Sequence, residues 1–99
     1  MRALTHCDAV CAARAIYLLE PDAQEAALLR MARAASWAAR FRRRFRRPHP
    51  YWGDGSLMTV ALAGNPPPEP RLSDPRYCRA LALVLGTLAA YGVGMRAPQ

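Results

Sequence analysis

Three sets of residues have types and spacings that could do chemistry. Residues 30–47 hold eight arginines, and no aspartate or glutamate occurs anywhere in residues 26–53. Guanidinium groups make bidentate hydrogen bonds to phosphates and stack on bases, so such a run can track a nucleic-acid backbone or an acidic protein surface. Trp37, Phe41 and Phe45 are interleaved with it, a combination that stacking platforms for single strands use. A few residues further on, His49, Asp54 and Ser56 supply the residue types of a hydrolytic triad. The third set is Cys7 and Cys11, four apart, with His6, His49 and Cys78 as other donors to a metal.

The second and third sets lack the surroundings their chemistry needs. A triad serine sits on a G-x-S-x-G elbow after a strand, and Gly53-Asp54-Gly55-Ser56 matches neither requirement. The same string has neither the length nor the lysine of a phosphate-binding loop. Structural zinc draws paired ligands from two segments, whereas one pair exists here and an isolated cysteine packs as a small hydrophobe. No metal and no cofactor are therefore expected. His49, Trp52, Gly53, Asp54, Gly55 and Ser56 read instead as a structural turn. Gly53 and Gly55 can supply positive φ, while His49, Asp54 and Ser56 can bond backbone groups or cap the next helix. Tyr51 and Trp52 would lock the turn onto the helix ends.

The arginine set has more behind it. All fourteen basic residues are arginine, and the net charge is +7, which predicts attraction to nucleic acid, anionic lipid or an acidic protein. Arginine in place of lysine, with abundant alanine, is also what a GC-rich genome writes. No helix-turn-helix spacing or RNA-binding signature accompanies the run.

The elements that must position these residues are helical. Thr5 with Asp8 three residues on resembles a capping box, and Val10, Ala13, Ile16 and Tyr17 follow at helical spacing, predicting a helix over 6–19. Pro21 suits the first turn of a second helix, 22–47, with Asp22 and Glu25 at cap spacing. Projected at about 100° per residue, this helix puts Leu28, Met31, Ala32, Ala35, Ala38, Ala39, Phe41 and Phe45 on one side. Arg33, Arg40, Arg43, Arg44 and Arg47 fall opposite, with Arg30 and Trp37 at the margin. Arg42 and Arg46 land on the apolar side, so the helix must leave the core there or the two must snorkel. Phe41 and Phe45 read as core.

Pro48-His49-Pro50 stops this helix. A third, short helix over 56–63 ends at Gly64 and Asn65. Residues 65–71, rich in proline, form an extended loop. Ser73-Asp74-Pro75 restarts helix over 74–91, where Tyr77, Leu81, Val84, Leu85, Leu88 and Tyr91 repeat at helical spacing. The last helix is expected to pack on the first two as the spine of the core. The third helix and the proline loop are expected to close one end, with the Trp52 turn partly buried at the junction.

Ninety-nine residues make one small domain, 1–99. Hydrophobic residues form 53% of the chain, which excludes global disorder. Much of that share is alanine, favouring closely packed helices. Three cysteines do not make a secreted disulfide framework, and His6, Asp8 and Arg14 interrupt any signal peptide, so a reducing bacterial cytoplasm is expected. Residues 80–95 are uncharged, but the run is shorter than the ~20 residues of a span and contains Gly86, Gly92 and Gly94. A transmembrane span is not expected.

The string from His49 to Met58, His-Pro-Tyr-Trp-Gly-Asp-Gly-Ser-Leu-Met, followed by Asp74-Pro75-Arg76-Tyr77-Cys78, resembles a family of short uncharacterised proteins. These are alphaproteobacterial, of the Rhodobacter group, and form a domain of unknown function. Met1-Arg2 and Asp8 are similar too. The resemblance implies an all-helical bacterial cytoplasmic protein and brings no activity with it.

The sequence thus predicts an all-α fold, a compact bundle of about four helices with a structured central turn and a proline-rich loop. For function it carries three expectations: a non-catalytic interaction or adaptor protein with a macromolecular partner; a nucleic-acid binder using Arg33, Arg40, Arg43, Arg44 and Arg47; and an enzyme using His49, Asp54 and Ser56.

Overall fold

Four helices in chain order make up the fold: α1 (His6–Ile16), α2 (Pro21–Phe45), α3 (Leu57–Ala63) and α4 (Pro75–Arg96). The structure, a computed structural model, describes residues 1–96, with side chains through Tyr91. Gly92, Gly94 and Met95 of the uncharged run lie outside the described side chains. No helix among the described residues is long and apolar enough to cross a membrane.

α1 is the hub and touches each of the other three helices. Its inner face is mostly alanine: Ala9, Ala12 and Ala13 are buried together with Ile16 and Tyr17. Small side chains let α3 and α4 approach closely, and the larger groups that fill the space come from those partners. Leu57 of α3 and Tyr77 and Val84 of α4 are wholly buried beside Leu28 of α2. Tyr17 and Tyr77 meet edge to face at 5.7 Å between ring centroids, the arrangement their quadrupoles favour. The spine of the core is therefore α1, and α4 packs on α1 and α2 from one side.

The start of α1 forms in full the box that Thr5 and Asp8 predict. The Asp8 carboxylate accepts from the Thr5 N–H at 2.8 Å, and the Thr5 hydroxyl accepts from the Asp8 N–H at 3.3 Å. The same carboxylate reaches across the fold to accept from the Met58 N–H at 2.8 Å. One buried acid thus caps two helices, satisfying free N–H groups at the start of both. This tie draws α3 inward. Leu57 and Ala61 are buried between α1 and α2, so α3 contributes to the core.

Other ends lie within a few residues of their expected limits, and α4 runs past its expected end at 91 to Arg96. Helix α1 stops at Ile16 because Pro21 lies ahead and a Leu19 N–H to Ile16 C=O bond of 2.9 Å closes a turn first. Pro21 opens α2, but Asp22 lies inside its first turn and Glu20 takes the cap position without a side-chain bond. At α4 the cap is Asp74, whose carboxylate accepts from the N–H groups of Arg76 and Tyr77 at 3.0 and 3.3 Å.

The proline loop is strapped down at two points. The Arg14 guanidinium donates to the Pro67 carbonyl at 2.8 Å, and the buried Tyr77 hydroxyl donates to Glu69 at 2.6 Å. Burial, and then the Glu69 carboxylate, push the Tyr77 phenol far above its usual range.

Candidate nucleic-acid interface

At 25 residues α2 is the longest helix, about 37 Å at 1.5 Å per residue, and its C-terminal turns outrun their partners. Leu28, Ala32, Ala35 and Ala38 are buried; beyond Ala39 no side chain of α2 is. The cause is the turn that follows. Gly55, at φ 97°, crosses α2 so closely that a Cβ there would lie 2.8 Å from the Cα of Ala39. That crossing marks the edge of the core, and the rest of α2 runs past it into solvent.

Phe41 and Phe45 are consequently not core residues. Phe45 is 50% exposed and Phe41 is half-buried, the two rings lying 4.6 Å apart. The periodicity that assigns them inward is real, but no element among the described residues covers them there. Arg42 and Arg46 need not snorkel, because the helix has already left the core and both are exposed.

The turn folds back along this free end. His49 and Gly53 exchange backbone hydrogen bonds of 2.7 and 3.1 Å, and His49 Nδ1 accepts from the N–H groups of Tyr51 and Trp52 at 3.1 and 3.2 Å. Nδ1 is thereby an acceptor, and the ring proton of the neutral imidazole belongs on Nε2. The fixed imidazole stacks on Trp52 at 4.7 Å with 11° between planes and meets Phe41 edge-on at 4.9 Å. Trp52 is 39% exposed, whereas Tyr51, at 81%, reaches only the His49 ring, 5.8 Å away between centroids.

Asp54 and Ser56 finish the turn. Asp54 accepts from the Ser56 N–H at 3.0 Å and the Thr59 hydroxyl at 3.2 Å, and pairs with Arg2 at 2.7 Å. The Ser56 N–H, foremost, with the Ser56 and Thr59 hydroxyls and the Arg2 charge, holds the Asp54 carboxyl below the usual range against an opposing effect of burial. Ser56 Oγ accepts from the Thr59 N–H at 3.2 Å as the cap of α3. Gly53, at φ 76°, leaves room for Thr59, into which a Cβ would run. Among the described residues no hydrogen bond joins His49 to Asp54 or Ser56. Each of the three is committed to holding local structure.

Between α2 and this turn lies a cavity of ≈ 200 Å³, lined by Trp37, Arg40, Phe41, Arg44 and Phe45 from the helix and by His49 and Trp52 from the turn. The Arg40, Arg44 and Arg47 guanidinium groups stand 5.3, 5.7 and 5.8 Å from the ring centroids of Trp37, Phe45 and Phe41. Trp37 is 59% exposed. The one ion pair among the described residues is Arg2–Asp54, so the guanidinium groups from Arg30 to Arg47 face solvent without a carboxylate partner. Arrays of this kind can clamp phosphates while presenting π-faces to bases.

Of the five arginines proposed from the sequence, Arg40 and Arg44 line this cavity and Arg47 flanks it. Arg33 lines a second groove further back along α2. Arg43 lines neither groove. It is near the Met1 amine, whose pKa is lowered by burial and by the Arg43 and Arg40 charges. Two indoles complete the groove, one read from the sequence alongside the arginine run and the other read there only as part of the structural turn. Trp37 was legible, since Trp37, Arg40, Phe41 and Arg44 follow the i, i+3, i+4, i+7 stripe of one helix face. Trp52 carried no such signal, because only the chain reversal brings it there. The cysteines are free: Cys11 is buried, Cys7 and Cys78 are exposed, and no cluster of three metal-ligating side chains forms among the described residues.

A small all-α protein bearing a basic, aromatic-lined groove on the free end of its longest helix is the class that fold and site define. The chain belongs to the family described as a domain of unknown function (DUF7742), whose model matches residues 2–88. That match takes in α1, α2, the whole turn, α3 and most of α4. No curated protein and no solved structure matches the chain.

Proposed function

We propose that this is a non-catalytic interaction protein whose partner is nucleic acid, held in the arginine and aromatic groove at the end of α2. One observation carries the reading. Trp37, Phe45 and Trp52 are left in solvent beside guanidinium groups that no carboxylate among the described residues neutralises. A purely solvated charged face has no use for exposed indole and phenyl rings, and apolar patches rimmed by charge mark interaction sites. The commitment of His49, Asp54 and Ser56 to capping bonds supports the non-catalytic half of the reading. It goes with an alphaproteobacterial cytoplasm, which the odd set of three cysteines and the turn string support.

Fluorescence anisotropy with a labelled oligonucleotide tests it against charge-matched variants. R40Q/R44Q and R71Q/R79Q each remove two positive charges, but only the first pair lines the groove. Binding should weaken about tenfold in the first and little in the second. Equal losses would reduce the interaction to net charge. Competition by polyglutamate as strong as by the oligonucleotide would assign the groove to an acidic protein.

A further inference from the structure

The groove at the end of α2 continues backwards into a second one of ≈ 460 Å³, walled by Arg30 and Arg33 and floored by Met31, Ala34 and Val60. Trp37 and Trp52 line both. The two indoles therefore stand at the junction of a continuous lane, with arginines at each end and apolar floor between. Resting on the nucleic-acid reading above, we infer that the lane takes single-stranded nucleic acid with bases stacked on Trp37 and Trp52 and phosphates on the flanking arginines.

Chemistry and dimensions support a single strand. The floor presents methyl and thioether groups, which suit base faces and offer nothing to a duplex exterior made of phosphate and sugar. Trp52 is backed by the stacked His49 ring, which fixes its plane before any base arrives, and Trp37 carries Arg40 over one face of its ring, leaving the other for a base. Pre-set rings lose little freedom on binding. From Arg30 to Arg44 the helix rises about 21 Å, room for about six nucleotides at the ~3.4 Å spacing of stacked bases.

Trp37 and Trp52 are the only two tryptophans of the chain, so fluorescence excited at the red edge, where tyrosine does not absorb, reports on this junction alone. The probes are an eight-nucleotide oligothymidylate, an abasic strand of equal length and charge, and an eight-base-pair duplex. Stacking predicts quenching by the thymidylate, with affinity about tenfold above the abasic strand and the duplex. W37L should lose most of that advantage and keep its affinity for the abasic strand. Trp37 is exposed, so this change leaves the core intact. Equal affinity for thymidylate and abasic strands, without quenching, would overturn stacking and leave the phosphate reading standing. Equal affinity for the duplex would overturn the single-strand assignment. Failure of all three probes to bind would overturn both readings together.

Discussion

Replacing Asp8 by alanine should be the most damaging single change of a polar residue, and its cost can be worked from the contacts. The Asp8 side chain is buried and accepts from three donors: the Thr5 N–H at 2.8 Å, the Thr5 hydroxyl at 3.0 Å and the Met58 N–H at 2.8 Å. Loss of half a capping box costs about 1 kcal/mol. Stranding the Met58 N–H near the start of α3 costs about 2 kcal/mol more. The sum, about 3 kcal/mol, is a large share of the roughly 5–15 kcal/mol that holds a domain of this size. At about 4–8 °C per kcal/mol, the midpoint should drop by roughly 12–24 °C. The milder change Asp8→Asn retains one carbonyl acceptor and should cost about half as much. Circular dichroism at 222 nm, followed through heat and urea, measures both. A midpoint within about 4 °C of the parent for D8A would refute the idea that this carboxylate couples α1 to α3.

The crossing of the turn over α2 gives a second prediction. Gly55→Ala places a Cβ at positive φ and 2.8 Å from the Ala39 backbone, so it should destabilise by about 2–4 kcal/mol, read as a fall in the urea midpoint. Asp54 governs the acid limb. Its folded-state pKa lies below the unfolded 3.8, so its contribution is fully present above that value and lost as pH falls through the folded pKa. D54N should flatten the pH dependence of stability below about pH 4, and an unchanged acid limb would refute the assignment. Tyr77 governs the alkaline limb. Burial and Glu69 raise its pKa above the unfolded 10.0, so its contribution is complete below that value and declines above it. Y77F should lose that decline, and a parent-like alkaline melting profile for Y77F would contradict it.

The all-α architecture was legible because nearly every boundary has a local cause: Thr5 with Asp8, Pro21, Pro48, Ser56, Asn65 and Asp74 each start or stop a helix within a short reach of their own side chains. What the sequence could not show was which apolar stripe finds a partner. Phe41 and Phe45 obey the periodicity of α2, yet whether they are covered depends on where Gly55 crosses the helix, a contact between residues far apart in the chain. The same limit hid the second role of Asp8, since its bond to Met58 spans 50 residues. It also hid how far α3 enters the core, since the tie from Asp8 to Met58 lies beside the buried Leu57. Within the site, the arginines and Trp37 lie on one helix and could be read by counting. Trp52 and His49 joined them only through the turn.

The exposure of Phe45 alters what the arginine run means. With both phenylalanines buried, residues 40–47 would be a charged helix end and little more. With Phe45 in solvent and Phe41 only half-buried, the same residues form alternating positive and π surfaces, and the turn that stops α2 also supplies the other wall of its groove.

The central claim, that this groove grips a nucleic-acid backbone, is tested most directly by the salt dependence of oligothymidylate binding. Four arginines line the lane, Arg30, Arg33, Arg40 and Arg44, and each phosphate neutralised on a single strand contributes about −0.7 to the slope of log K against log salt. Anisotropy titrations from about 50 mM salt upward should therefore give a slope of about −2.8 for the parent and about −1.4 for R40Q/R44Q. No binding at about 50 mM salt, or a slope that R40Q/R44Q leaves unchanged, would contradict the account.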